Sequence, residues 1–483
     1  MGWTPIYQQH SLPVLRNQWQ LSSSASPSPF NEDISPESTR TTHANVVANN
    51  EKALPKIIHW RGEKTHGNSL QFRHLEFTSA LASIQDLNAE IDFSPALSSN
   101  FTMAEDMDEY ARHAYENAMQ YISTLDQEIN DPILLSGKDL IKTVQRCSLI
   151  RSLFEIVAEG ETYPDLAQNA LDSRNLHGMM ENGSNSDASW RVRMRQYGGE
   201  AKLEKQKQYG KQMRSPVTLE REAINQMKDL FIGFTGPVDL KNADITLYLF
   251  EGLLGRQTKV LARLLTRGAS TSVMAPKTRI CVTNTPLCPL AAFTMCNVAR
   301  IKPGYRIFDP FAGSCAILMA ASMIEPTVQS VGVEIAYNKQ VNRDDIVLDF
   351  TSRDLTVPSA IIRGDSMSVD IRNEARAAVG NEPFDVIVTD PPYGIREKTG
   401  FCVDPPLVNL VKCIAKDRTD GNRLLKLGGR LVAFVPNQEG DDIALDMPSD
   451  DDLSLAGLEF CQMLEQPLND SLSRWLVEYK CVE

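Results

Sequence analysis

The C-terminal half of this 483-residue chain predicts a doubly wound α/β domain, with a mixed α+β region ahead of it. Three observations predict that fold. After about Leu261, short apolar runs alternate with helical stretches, as parallel βαβ units require. The first clear run ends in Asp309-Pro-Phe-Ala-Gly313, which turns directly into a helix. A later run ends in Asp390-Pro391-Pro392-Tyr393, at the sheet edge where doubly wound folds hold their ligands.

At about 150 residues per domain the length accommodates two or three domains. Residues 1–56 are rich in Ser, Pro, Asn and Thr and cannot bury enough apolar surface to offset ordering entropy, so they read as a disordered tail. Residues 57–256 form the α+β region. Within it, Ala104 to Gln127 carries Met, Tyr and Ala at helical spacing behind an acidic first turn, which predicts a helix. Cys147 to Val157 reads as a strand or helix edge, and Tyr163 to Leu171 as a helix. Ser189 to Arg195 alternates apolar and basic residues at period two, a strand with one buried face. Its polar face carries Arg191, Arg193 and Arg195, and Lys202, Lys205, Lys207, Lys211 and Arg214 follow. This is the most basic stretch of an acidic protein, either a solvated face or a contact for nucleic acid. A helix from Leu219 to Leu230 and a strand from Ile245 to Phe250 close the region.

Residues 257–483 supply the doubly wound domain. Strands are expected at Arg306 to Phe308, Ser330 to Val333, Ala360 to Ile362, Phe384 to Val388 and Arg430 to Val435, with a helix over Ala316 to Met323.

Composition excludes some classes of function. With 49 basic against 62 acidic residues and a net charge of −13, the chain is no wholly basic nucleic-acid binder, and any such affinity must be local. The nine cysteines are scattered, with neither a CxxC pair nor a histidine at zinc-ligand spacing, so no metal site is expected and the thiols read as reduced. No apolar run approaches the roughly 18 residues of a membrane span. A soluble cytoplasmic protein is the expectation.

The candidate site lies at the ends of the predicted strands. Asp309, Phe311 and Gly313 form a strand-to-helix turn in which small residues let backbone amides approach a polar ligand. About twenty residues on, Glu334 ends the next strand, where a carboxylate can accept both ribose hydroxyls of a nucleoside. Asp365, next to Ser366 after the third strand, is placed either to accept an adenine amino group or to cap the following helix. In Asp390-Pro391-Pro392-Tyr393 two prolines fix φ and end the strand, holding the Asp390 side chain and the Pro391 carbonyl rigidly. An exocyclic amine on a base is a poor nucleophile, because its lone pair is delocalised into the ring. Two fixed acceptors on its N–H groups orient that lone pair toward a methyl donor and take up the developing positive charge. Tyr393 would offer a face on which an unstacked base lies.

On these residues the sequence resembles the tRNA guanosine-10 N2-methyltransferase family of THUMP-containing enzymes. The likeness takes in Asp309 to Gly313, Asp390 to Glu397, the ending Arg474 to Lys480, Arg146 to Ile156 upstream, and Val238 to Leu247, which matches the strand that ends the family's THUMP domain. It spans roughly Gln71 to Lys480. The resemblance implies a Rossmann-like class I methyltransferase domain behind a THUMP-containing RNA-binding region. It implies S-adenosyl-L-methionine as cofactor and N2 of guanosine 10 in tRNA as the methylated atom. It also implies RNA contact by the Arg191 to Arg214 stretch. Eukaryotic members work with a small zinc-binding activator protein shared by several methyltransferases, and the same heterodimer is expected here. The chain departs from the family pattern at Cys315, where a second glycine is usual, and at Glu334, where aspartate is common. Alternatives are a catalytically inactive RNA-binding subunit and an amino-methyltransferase acting on rRNA or DNA.

Overall fold

The computed structural model describes residues 55–61, 71–85, 94–95, 122–125, 137–173, 176, 188–197, 216–253, 259–335, 341–393, 404–438 and 440–483. Two seven-stranded sheets organise them.

The first sheet is built from β1 (Lys56–Trp60), β2 (Ser94–Pro95), β3 (Ile122–Leu125), β4 (Ile150–Gly160), β5 (Trp190–Gln196), β6 (Ile245–Glu251) and β7 (Lys259–Arg267), in the order β2-β3-β1-β4-β7-β6-β5. Its pairs are antiparallel except β5 with β6. The helices that accompany it are α1 (Phe72–Gln85), α2 (Gly137–Arg146), α3 (Tyr163–Asp172), α4 (Pro216–Gln226) and α5 (Lys228–Phe231). Their local causes are readable. Thr162 and Asp165 form a reciprocal capping box that starts α3. Trp190 stacks on Phe231 with centroids 5.3 Å apart, fastening α5 to β5.

Three expectations are corrected here. The helix expected over Ala104 to Gln127 does not reach its end: Ile122–Leu125 is β3, paired with β1 so that Ile122 and Leu125 are buried. Cross-strand pairing there overrides a helical spacing, and residues 104–121 lie outside the described residues. The helix from Leu219 breaks at Met227 into α4 and α5. The division at 256/257 falls one strand early, because β7 hydrogen-bonds between β4 and β6 of the first sheet.

The second sheet uses β8 (Arg306–Asp309), β9 (Gln329–Glu334), β10 (Ala360–Arg363), β11 (Phe384–Thr389), β12 (Leu425–Gln438), β13 (Leu458–Asn469) and β14 (Leu472–Cys481). The order is β10-β9-β8-β11-β12-β14-β13, parallel from β10 to β12 and antiparallel for the last two strands. The interspersed helices are α6 (Pro289–Val298), α7 (Ala316–Ile324), α8 (Arg343–Thr351), α9 (Val369–Ala377), α10 (Pro406–Thr419) and α11 (Asp450–Ala456). This is a doubly wound, Rossmann-like arrangement, as the strand-helix alternation predicts. The strand order reverses between β8 and β11, so the crevice for ligands opens at their carboxyl ends. β11 is buried at every position, as a central parallel strand must be.

The sheets are tied through α1, which packs on α6 and shares its core with β8 and β12. Glu76 is fully buried at this junction. Its carboxylate accepts the Ser148 and Leu149 N–H groups, each at 2.8 Å, and the Asn297 amide at 3.0 Å. Burial pushes its pKa up, against the pull of those donors. No helix among the described residues is long and apolar enough to cross a membrane.

Candidate active site

The crevice residues come from four strand ends. β8 delivers Asp309, which is 1% exposed. Its Oδ1 accepts the Thr389 hydroxyl at 2.7 Å and the Phe311 N–H at 3.2 Å, so the carboxylate ties the turn after β8 to the end of β11. Burial, opposed by these two donors and aided by the nearby Asp390 and Glu334 charges, pushes its pKa up to about 7. Phe311 is half-buried above it. The turn is pinned to β9 by the Ala312 N–H on the Val333 carbonyl and by the Gly313 N–H on Glu334 Oε2, both at 2.9 Å.

Gly313 has φ of +50°, and a side chain there would meet Thr283 Cγ2 at 3.5 Å, an ordinary contact. Cys315 is buried at φ of +60° in the left-handed region. A Cβ in that conformation costs roughly 1–2 kcal/mol, so a glycine would sit there with less strain. The thiol lies over Gly332 of β9, and burial drives its pKa well up. Beneath the turn, the Arg279 guanidinium donates to the Ser314 carbonyl and pairs with buried Asp349.

Glu334 closes β9 and faces the turn, with one oxygen on Gly313. Asp365 is exposed after β10, where its Oδ1 accepts the Met367 N–H at 2.9 Å. Ser366 is 3% exposed, and its carbonyl receives the Arg372 guanidinium. Ser366 is thus placed beneath the crevice surface, with Asp365 at the surface.

β11 runs from Phe384 into Thr389 and delivers Asp390, Pro391, Pro392 and Tyr393 to the same edge. Pro391 is buried, while Asp390, Pro392 and Tyr393 are half-buried. The Tyr393 hydroxyl donates to Asp390 Oδ1 at 2.8 Å and accepts from Arg474 Nη1 at 3.1 Å. Arg474 Nη1 lies 3.9 Å from Asp390 Oδ2. Arg474, Arg279 and Thr389 are site residues that motif reading missed. Arg474 sits in the recognisable Arg474 to Lys480 ending, and that is the one signal that could have found it. Thr389 and Arg279 carry no motif signal.

The basic stretch is only partly within view. Arg191 Nη1 donates to the Leu240 and Lys241 carbonyls, and Arg193 Nη2 to the Leu240 carbonyl, so both brace the loop before β6. Arg195 is exposed. Lys202, Lys205, Lys207, Lys211 and Arg214 lie outside the described residues, as do Gly394 to Glu397. Among the described residues no cluster of His, Cys, Asp and Glu has the arrangement of a metal site.

Residues 276–404 match the model of the UPF0020 family, described as RMKL-like, methyltransferase domain. That range covers the candidate loop, Glu334, Asp365 and Asp390 to Tyr393. The chain is 27% identical over 278 residues to the tRNA (guanine(10)-N(2))-methyltransferase TRMT11 of Xenopus laevis, covering 53% of this chain and 54% of that protein. It is 24% identical over 352 residues to the Dictyostelium discoideum protein of the same name, covering 66% of this chain and 67% of the relative. It is 33% identical over 111 residues to the tRNA (guanine(10)-N2)-dimethyltransferase of Methanothermobacter thermautotrophicus, covering 23% of this chain and 29% of that one. The chain therefore spans about half the length of the first of these relatives. Residues 276–404 thus resemble a UPF0020 methyltransferase domain, and the chain is similar to proteins named tRNA (guanine(10)-N2)-methyltransferase.

Proposed function

We propose that this protein transfers a methyl group from S-adenosyl-L-methionine to the exocyclic N2 of guanosine 10 in tRNA. One observation carries the reading: Asp390 directly follows β11, whose last residue, Thr389, is hydrogen-bonded to Asp309 at the head of the turn whose Gly313 bonds Glu334, at the point where strand order reverses. An acceptor for an amine and a cradle for a nucleoside thus share one sheet edge. The residues fit the cofactor. Glu334 stands where ribose hydroxyls would be accepted, Asp365 is exposed at the next strand end, and Gly313 leaves the turn backbone uncovered by a side chain. When bound, S-adenosylmethionine would supply an electrophilic methyl on a sulfonium.

The chain's own groups would do the rest. Asp390 and the Pro391 carbonyl would accept the two N–H groups of the guanine amine and hold its lone pair toward the methyl. As the N–C bond forms, positive charge grows on nitrogen, and the Asp390 carboxylate stabilises it and takes the released proton directly or through water. The α+β layer would act as the THUMP-containing RNA-binding region, with Arg195 and the lysines after it on tRNA phosphates. A small zinc-binding activator protein would cover an apolar edge of the catalytic domain. The names of the relatives and the tetrapeptide chemistry support tRNA guanine as substrate.

The test is nucleoside mass spectrometry of tRNA after incubation with the purified protein, its activator and S-adenosylmethionine. N2-methylguanosine at position 10 is expected; none, with cofactor binding intact by calorimetry, would refute the assignment. Asp390→Ala should reduce transfer by about 1,000-fold or more while leaving cofactor and tRNA affinity nearly unchanged, because its bonds matter chiefly in the transition state. A parallel loss of tRNA affinity would give Asp390 a structural role instead.

A further inference from the structure

Tyr393 is expected from sequence to act through its ring, yet its polar end is the part that is bonded. The hydroxyl donates to Asp390 Oδ1 at 2.8 Å, and burial together with the Asp390 charge raises its pKa far enough to keep the proton in place. The hydroxyl oxygen in turn accepts from Arg474 Nη1 at 3.1 Å. Arg474 is only 6% exposed and is held on other sides as well. Its Nε donates to Gln466 Oε1 at 2.8 Å, and its guanidinium lies 3.9 Å from the centre of the Phe434 ring.

Gln466 and Arg474 are direct cross-strand partners in the β13–β14 pair, and Arg474 also faces Pro436 of β12. The chain of bonds therefore runs from the antiparallel β13–β14 pair at one side of the sheet, through the Tyr393 hydroxyl, to the carboxylate of Asp390, which follows β11. Asp390 meets other charges as well. It and Glu334 both act on Asp309, so three carboxylates lie close together at this edge, and Arg474 is the cation set against Asp390. Left to themselves, such carboxylates would compete for a proton.

We propose that Arg474 and the Tyr393 hydroxyl are positioning residues for Asp390: the guanidinium fixes the hydroxyl, and the hydroxyl fixes and charges the carboxylate that receives the substrate amine. This inference rests on the methyl-transfer reading above and deepens it. It assigns Tyr393 to the acceptor through its oxygen, and it gives the β13–β14 pair a part in the chemistry. An anionic, immobile Asp390 needs no reorganisation when positive charge grows on the amine nitrogen.

The experiment uses full-length protein with tRNA, S-adenosylmethionine and the activator, and compares wild type with Tyr393→Phe, Tyr393→Ala, Arg474→Gln and Arg474→Lys. Tyr393→Phe keeps the ring and loses only the oxygen. It should lower kcat roughly 10- to 100-fold with KM for tRNA changed by no more than about twofold. Arg474→Gln should lower kcat similarly and move the acid limb of the kcat/KM profile to higher pH, because Asp390 loses the cation beside it. Arg474→Lys should recover part of both, and Tyr393→Phe combined with Arg474→Gln should be no slower than Arg474→Gln alone. A Tyr393→Phe enzyme with wild-type kcat beside an inactive Tyr393→Ala enzyme would overturn the proposal in favour of ring stacking. An unmoved acid limb in an Arg474→Gln protein that still binds cofactor would overturn it as well. If Arg474→Gln loses cofactor binding through misfolding, Tyr393→Phe decides alone. Wild-type protein that transfers no methyl group sinks the functional reading itself, a result distinct from active wild type with active Tyr393→Phe.

Discussion

Asp309 shows how a single side chain can be kept at a cost to the fold. It is buried beneath the crevice, and its folded-state pKa of about 7 stands above the unfolded value of 3.8. The native state therefore holds this proton more tightly than the unfolded chain does. Stability falls through this group as pH rises from about 4 to about 7, and is independent of it above. Asp309→Asn keeps an acceptor for Thr389 and Phe311 without the charge. Its gain in Tm over wild type should be larger at pH 8 than at pH 5, measured by thermal melts at constant ionic strength. Equal gains at both pH values would mean that Asp309 titrates like an ordinary carboxylate. Sequence reading offered Asp309 as a cofactor residue in the loop after its strand, and its hydrogen bonds run to Thr389 and to the loop's own backbone. A pattern of residue types shows that an aspartate follows a strand and does not show which way its carboxylate turns.

At the scale of elements, the turn between β8 and α7 lies flat on β9 because β9 has Gly332 under it. A Cβ there would come within 2.8 Å of Ala312 Cβ and 3.1 Å of Leu318 Cδ1. Gly332→Ala should cost about 1–3 kcal/mol by chemical denaturation, since both neighbours belong to packed elements. It should also weaken S-adenosylmethionine binding by calorimetry, because the turn would lift from Glu334. Unchanged stability would show that the turn floats freely over β9. The strand-helix alternation of this half was legible because parallel strands buried on both faces are apolar throughout and helices are not. β3 and the break at Met227 were not legible, because strand pairing and tertiary packing set them against the local pattern.

For the whole molecule, Glu76 is the joint between the layers. Glu76→Ala would strand the Ser148 and Leu149 N–H groups in a dry junction and should destabilise by roughly 2–5 kcal/mol. Glu76→Gln retains one acceptor and should lose less. If the two variants melt together, the bonds to the turn before β4 contribute little. The most basic stretch of this acidic chain, Arg191 to Arg214, lies ahead of β6. Arg195→Glu combined with Lys205→Glu and Lys207→Glu should weaken tRNA binding and reduce the slope of log affinity against log salt by about two to three. An unchanged slope in fluorescence titrations would return this stretch to a solvated surface. Arg191 and Arg193 are poorer candidates than their neighbours, because both brace the loop carbonyls of Leu240 and Lys241.

The sequence alone determined the doubly wound half and the tetrapeptide at its edge, because both depend on local properties: apolar periodicity, and prolines that stop a strand behind an aspartate. It also placed Gly313, Glu334 and Asp365 at successive strand ends, where the fold bonds Gly313 to Glu334 and leaves Asp365 exposed after the next strand. Only the tertiary structure decided that Thr389 holds Asp309, that Arg474 reaches the Tyr393 hydroxyl, and that β7 belongs to the first sheet. Those facts depend on contacts between residues far apart in the chain, about 80 positions in the first two cases. Such contacts are set by sheet order and side-chain direction, which no local pattern encodes.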